Sequence, residues 1–210
     1  MEHELVITLA DLREEETLQI VQDRLDGGDD PLRILNDVRR ALEIVGNRFK
    51  DGEYFLPELV YSGEISKVIT GMVGPKLTKT PEFEYVGKVV IGTVAGDIHD
   101  IGKNIVRFML EVNGFEVRDL GVDVLPKQFV EEIEQAKPQI LALSCLLTLA
   151  YDSMKETVQA VRDAGLRNKV KIMIGGGVVD ETVVPYVGAD GFESDAAGAV
   201  TLAKKWIGGN

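Results

Sequence analysis

The chain has 210 residues, 45% of them hydrophobic and 28% charged, the balance of a folded protein with one large domain or two small ones. Its formal net charge of −12 argues against non-specific binding to nucleic acid or to an anionic membrane surface. A single cysteine, Cys145, excludes an internal disulfide and a cysteine cluster for zinc or iron–sulfur ligation.

The opening stretch, MEHELVITLADLREEE, is acidic and lacks a long apolar run, so it reads neither as a signal peptide nor as a transit peptide. No stretch approaches the roughly 18–20 apolar residues that span a bilayer. The cytoplasm is the expected compartment. Apolar residues then recur at helical spacing: Leu12, Leu18, Ile20, Val21 and Leu25, followed by Leu32, Leu35, Val38, Leu42, Val45 and Phe49. Gly27-Gly28-Asp29-Asp30 ends one helix, and Asp30-Pro31 starts the next. Gly52 marks another break, after which Leu56, Leu59, Val60, Ile65, Val68, Ile69, Met72 and Val73 form a further helical run. Residues 1–80 therefore predict a small antiparallel helical bundle, and residues 81–87 a linker.

From residue 88 the pattern changes. Short β-branched runs at Lys88–Val94, Glu116–Leu120, Gln139–Ser144, Val170–Ile174 and Asp190–Glu193 alternate with amphipathic stretches at Ile101–Val112, Pro126–Lys137, Tyr151–Ala164 and Ala196–Ile207. This alternation predicts an α/β fold over residues 88–210, a doubly wound five-stranded parallel sheet of the flavodoxin or Rossmann-like kind. With strand order 2-1-3-4-5, a ligand site falls beyond the carboxyl ends of the first and third strands, where strand order reverses.

That place holds the unusual residues. The first strand runs into Gly96-Asp97-Ile98-His99-Asp100-Ile101-Gly102. The chain has two histidines, and with His3 near the N-terminus, His99 is the interior imidazole. Gly96 and Gly102 allow a sharp, close-packed turn. Asp97, two residues before His99, is placed to accept the second ring N–H of a metal-bound imidazole. One histidine and one supporting carboxylate are too few protein ligands for zinc. They suit a metal whose other positions are filled by a macrocycle. The alternative is a loop histidine satisfied by local hydrogen bonds.

D-x-H-x-x-G after the first strand, Leu143-Ser144 at the end of the third, and Gly175-Gly176 after the fourth form a three-part signature. With GDIHDIGKNIV (96–106) and GADGFESDAAGAV (188–200), it resembles the cobalamin-binding domains of methionine synthase and of the small corrinoid proteins in methyltransferase systems, including those for methanol, methylamines and O-demethylation. Phe49-Lys50-Asp51-Gly52-Glu53-Tyr54-Phe55-Leu56-Pro57-Glu58-Leu59 is similar to the helical cap that precedes that domain.

The resemblance implies a corrinoid cofactor bound base-off, with His99 as lower axial ligand to cobalt and Asp97 tuning it. Gly96, Ile98, Asp100, Ile101 and Gly102 would line the cofactor. Ser144 and Thr148 would hydrogen-bond its buried nucleotide tail, or cap the following helix, and Leu146 would contact the cofactor. Gly175, Gly176 and Gly177 would leave room for the tail, or mark a strand-to-helix turn. Phe192, Asp195 and Ala196 would form the far rim, Asp195 alternatively being the N-cap of the last helix. Phe49 and Leu56 would cover the upper, methyl-bearing face of the ring, or be ordinary bundle core. One position departs from methionine synthase: Ala150 stands where a serine hydroxyl extends the histidine–aspartate relay, so the relay would end at Asp97 or continue through water.

The implied activity is methyl carriage, with cobalt(I) accepting a methyl group from a substrate-specific methyltransferase and passing it to an acceptor methyltransferase that serves tetrahydrofolate or a thiol coenzyme. A reductive activating protein would restore oxidised cobalt. The chain would not catalyse alone, would use neither nucleic acid nor membrane, and would be a monomer or homodimer. A cobalamin-dependent sensor is the main competing function, disfavoured because no residues remain for a DNA-binding or signalling module. A carbon-skeleton mutase subunit would not need the cap. A nucleotide or flavin domain would need G-x-G-x-x-G in the first loop, which GDIHDIG lacks.

Overall fold

A computed structural model describes residues 2–77 and 85–208, with side chains from residue 4 onward. The His3 side chain and residues 81–84 of the expected linker lie outside what the structure describes, and Gly87 already belongs to the first strand. The chain divides into two compact units, Met1–Phe83 and Glu84–Asn210.

The described part of the first unit is helical: α1 (Glu2–Ala10), α2 (Glu14–Asp26), α3 (Pro31–Lys50) and α4 (Leu56–Val73), with a 3-10 turn at Gly74–Lys76. The start of α3 follows from Asp30-Pro31. The Asp30 carboxylate accepts from Leu32 N at 2.9 Å, and Pro31 has no N–H to leave unpaired. Along α3, Ile34, Val38, Ala41, Leu42 and Val45 are buried on one face. Each larger side chain of that stripe contributes about 1.5–3 kcal/mol on leaving water. The face packs against α1 and α4. Arg24 of α2 is buried and bonds Asp37 of α3 and Asp29 of the intervening turn, both at 2.8 Å. Of the first apolar run, Leu18, Ile20, Val21 and Leu25 lie on α2, while Leu12 lies in the turn before it and α1 precedes the run. Leu12 adopts φ 59°, and Arg13 N bonds back to Thr8 O, so the chain turns between Ala10 and Glu14.

The second unit contains β1 (Gly87–Thr93), α5 (Ile101–Val112), β2 (Phe115–Asp119), α6 (Pro126–Ala136), β3 (Ile140–Ser144), a 3-10 turn (Thr148–Ala150), α7 (Tyr151–Asp163), β4 (Lys171–Gly175), α8 (Val183–Val187), β5 (Gly191–Phe192) and α9 (Ala196–Gly208). The strands are all parallel, in the order β2-β1-β3-β4-β5. α5 packs with α9, and α6 with α7, which also meets α8. Val90, Leu141, Leu143, Ile172 and Ile174 of the central strands pack with Phe129 of α6 and Met154 and Val158 of α7 in one core. The register pairs Thr93 with Ser144 and Ser144 with Gly175, so β1, β3 and β4 end level. The chain leaves β1 and β3 toward opposite sides at this edge, which opens the crevice where such sheets bind ligands. Among the described residues, no helix is long and apolar enough to cross a membrane.

Candidate functional site

The loop from Val94 to Asp100 follows β1 and is tied down from three directions. Gly96 takes φ +82°, a conformation that favours glycine, and its N–H donates to Asp123 Oδ1 at 2.8 Å. Asp123, itself left-handed at φ 54°, also donates its N–H to Asp97 O at 2.9 Å. The buried Thr93 hydroxyl donates to His99 O at 2.8 Å. Below the loop, the buried Lys103 of α5 reaches Asp119 at the end of β2 at 2.5 Å, which fixes the first turn of α5 against the sheet.

Asp97 is fully buried, and both its oxygens are filled. Oδ1 accepts from His99 N at 3.0 Å and lies 2.6 Å from His99 Nδ1; Oδ2 accepts from Leu146 N at 2.6 Å and Leu147 N at 3.1 Å. Burial pushes the Asp97 carboxyl up, but the amides of His99, Leu146 and Leu147 and the His99 ring outweigh it and hold the group at about 2. An ionised carboxylate only accepts, so Nδ1 of His99 carries the proton in this pair. Nε2 then presents its lone pair. The ring is 49% exposed, and Nε2 has no hydrogen-bond partner among the described residues.

This is the arrangement of a metal-ligating imidazole oriented by a carboxylate. Among the described residues, no group of three or more His, Cys, Asp or Glu side chains is placed to hold a metal. One oriented donor fits a metal that brings its own equatorial ligands. The surroundings fit a large flat group as well: Ile98, Ile101, Leu125, Leu146 and Leu149 are exposed apolar side chains in the segments that follow the strands' carboxyl ends or open the helices there.

The remaining expected residues are placed as follows. Asp100 precedes α5, its carbonyl accepting from Asn104 N at 2.8 Å. Gly102 does not serve the turn: it lies in the first turn of α5 with ordinary φ, and a Cβ there would meet nothing within 4 Å. Its lack of a side chain keeps the space outside the helix open. Ser144 is half-buried and Thr148 exposed, and neither hydroxyl caps a helix. Gly176 is demanded by the protein itself. At φ +141° it passes so close to β3 that a Cβ would sit 1.7 Å from Cys145 O. A Cβ on Gly177 would lie 2.7 Å from Leu146 Cδ1, and one on Gly175 would lie 3.2 Å from Glu193 O. The glycine run thus brings β4's exit against β3's exit, a requirement beyond room for a ligand tail. Phe192 pairs with Ile174 beside that exit. Asp195 accepts from Gly198 N at 2.8 Å, capping α9, and Ala196 is buried behind it. In the helical unit, Phe49 is half-buried near the end of α3, while Leu56 opens α4 and is 37% exposed, too open for a bundle-core residue.

Four contributors escape a reading of the sequence: Thr93, Asp123 and the amides of Leu146 and Leu147. Backbone amides carry no residue signal, and Asp123 acts only through the folded course of the β2–α6 connection. The two amides also bear on the departure at Ala150. That residue is buried without a polar group, and Asp97 Oδ2 is satisfied by N–H groups instead.

Comparison with known proteins identifies the family. Residues 87–200 match the B12 binding domain, and residues 1–73 match a second B12 binding domain family. A corrinoid protein of Desulfitobacterium hafniense strain Y51 is 39% identical over 171 residues, 80% of this chain and 79% of that one. Trimethylamine corrinoid protein 2 of Methanosarcina mazei is 35% identical over 199 residues, 94% of this chain and 91% of that one. Among solved structures, a cobalamin-binding protein from D. hafniense DCB-2 is 39% identical and covers 98% of both chains, with a TM-score of 0.73. The methanol:cobalamin methyltransferase complex MtaBC of Methanosarcina barkeri contains a chain 27% identical, with a TM-score of 0.88 over 100% of this chain and 80% of that one. On these matches, which span both units, the chain belongs to the cobalamin-binding corrinoid proteins.

Proposed function

We propose that this protein is a methyl carrier that works between two enzymes, a substrate-specific methyltransferase that loads it and an acceptor methyltransferase that unloads it. The observation that carries this reading is the His99 ring, fixed through Nδ1 by buried Asp97 and open at Nε2 on the sheet's carboxyl edge. The corrinoid, when bound, supplies a cobalt centre able to take up and release a methyl group. His99 Nε2 would hold that metal. Asp97 keeps the ring in one tautomer and one orientation. Ser144 and Thr148, with hydroxyls free of helix-capping bonds, would hold the nucleotide tail together with Leu146 and the Gly175–Gly177 run. Gly96, Ile98, Asp100, Ile101 and Gly102 would line the cofactor, and Phe192, Asp195 and Ala196 its far rim. Phe49 and Leu56 of the helical unit would shield the cofactor from water.

The names of the relatives support the partner assignment. They include trimethylamine and dimethylamine corrinoid proteins and a component of a methanol methyltransferase complex. A methylamine or methanol is accordingly the class of methyl donor to try first. The acceptor methyltransferase would serve tetrahydrofolate or a thiol coenzyme, and a reductive activating protein would rescue oxidised cobalt.

Electron paramagnetic resonance of the cobalt(II) holoprotein tests the ligand. With nitrogen-15 histidine, the three-line nitrogen splitting should become two-line. Splitting that ignores the label rules out ligation by His99. Transfer of a labelled methyl group from a methylamine or methanol, through the holoprotein and a cognate methyltransferase, tests carriage.

A further inference from the structure

The α3–α4 turn of the helical unit, Asp51–Phe55, has little core of its own: Asp51, Gly52, Glu53 and Phe55 are exposed. Yet it sets the spacing between Phe49, at the end of α3, and Leu56, at the start of α4. What fixes it is a knot of polar contacts reaching back to the first helix. Arg48 Nη1 lies 2.7 Å from Ala10 O, 2.8 Å from the Tyr54 hydroxyl oxygen and 3.0 Å from Asp11 Oδ1. The Tyr54 hydroxyl donates to the same Ala10 carbonyl at 2.8 Å. The Arg48 guanidinium also stands over the Tyr54 ring, 5.2 Å from its centroid. From the other side, Arg48 O accepts from Glu53 N at 2.8 Å and from Tyr54 N at 3.1 Å. Arg48 therefore grips the turn with both its backbone and its side chain.

The anchor is chemically suited to the task. Ala10 ends α1, where the last carbonyls lack intrahelical partners and a cation is favoured by the helix dipole. Because Leu12 turns left-handed just beyond it, the chain leaves the helix axis there and the Ala10 carbonyl takes both donors.

We propose that Arg48 and Tyr54 are positioning residues that hold Phe49 and Leu56 in the relative placement that shielding of the cofactor requires, with the end of α1 as their anchor. This rests on the assignment of Phe49 and Leu56 as shields. Tyr54→Phe tests it: the ring and its contact with Arg48 remain, and only the hydroxyl bonds go. Two readouts are needed, hydrogen exchange at the Glu53 and Tyr54 amides of the apoprotein, and photolysis of the holoprotein loaded with methylcobalamin, with Phe49→Ala in parallel. Exchange at both amides should quicken about tenfold, the scale of a lost hydrogen bond. Photolysis should quicken in the same direction as for Phe49→Ala, with cofactor retention and the thermal midpoint close to wild type. Unchanged exchange overturns the knot. Faster photolysis in Phe49→Ala without any in Tyr54→Phe overturns the positioning role and leaves the shielding assignment standing. If neither variant alters photolysis, the shielding assignment falls and takes this proposal with it.

Discussion

Asp97 and His99 are joined twice: one carboxylate oxygen lies 2.6 Å from the ring Nδ1 and accepts the His99 backbone N–H at 3.0 Å. The first contact sets the tautomer, and the second sets where the ring hangs. A carboxylate two residues upstream thereby fixes both the chemistry and the direction of the exposed nitrogen. The other oxygen is spent on the amides of Leu146 and Leu147, which fastens the β1 loop to the β3 loop.

That fastening makes Asp97 a source of pH-dependent stability. Its carboxyl lies at about 2 in the fold, against an ordinary value of 3.8. A group depressed in this way stabilises the fold fully above the unfolded value and loses that contribution as pH falls toward the folded one. The difference corresponds to about 2 kcal/mol above pH 5, vanishing by about pH 2. Asp97→Asn should lower apoprotein stability at pH 7 by about 2 kcal/mol, because one amide face must point N–H at N–H. Urea midpoints of both proteins at pH 7, 5, 4 and 3 check this. A gap that stays constant across that range contradicts the assignment.

Gly176→Ala should be among the most damaging single changes. The position needs φ +141°, and a Cβ would lie 1.7 Å from Cys145 O, which is backbone and has no rotamer with which to yield. A loss of about 3 kcal/mol or more is expected. Gly102→Ala is the contrast. A Cβ there is unopposed, and alanine favours the helix, so the apoprotein should be unchanged or slightly more stable. Thermal melts of the two apoproteins separate the cases. Similar midpoints would mean that β4 does not run against Cys145 as described.

The architecture was legible because the chain writes it in period. Each β-branched run became a strand within a residue or so, and Ile101–Val112 emerged with the bounds expected. Two features were hidden by their size. VVPYV forms the five-residue α8 although Pro185 suggests a loop, and Leu12 looks like one more apolar helical position but takes a left-handed turn. In the site, the Asp97–His99 contact was readable from spacing, since a loop allows i to i+2 side chains to meet. The role of Gly176 was only half readable. Composition signals a special backbone, but only the fold shows that the neighbour pressing on it is Cys145.

Phe49→Ala and Leu56→Ala should act on the bound cofactor rather than on the fold. Leu56 is 37% exposed and Phe49 half-buried, so truncation of Leu56 should cost the apoprotein less than about 1 kcal/mol and that of Phe49 somewhat more. Both should accelerate photolysis of the methylcobalamin-loaded protein. A large loss of apoprotein stability with unaltered photolysis would make Phe49 a core residue and nothing else.

His99→Ala separates holding the cofactor from using it. The ring is half-exposed and is one of several donors to Asp97, since the amides of His99, Leu146 and Leu147 remain in the variant. The apoprotein should therefore lose no more than about 1 kcal/mol. Cofactor retention should fall less than methyl transfer, because the tail contacts assigned to Ser144, Thr148 and the glycine run are untouched. Equilibrium dialysis gives retention, and turnover with a cognate methyltransferase gives transfer. If the variant transfers methyl groups at the wild-type rate, the imidazole has no part in ligation, however well Asp97 orients it. If the apoprotein unfolds, the cause lies in Asp97, a buried carboxylate that cannot spare even one of its four donors, and Asp97→Asn should then be worse than His99→Ala.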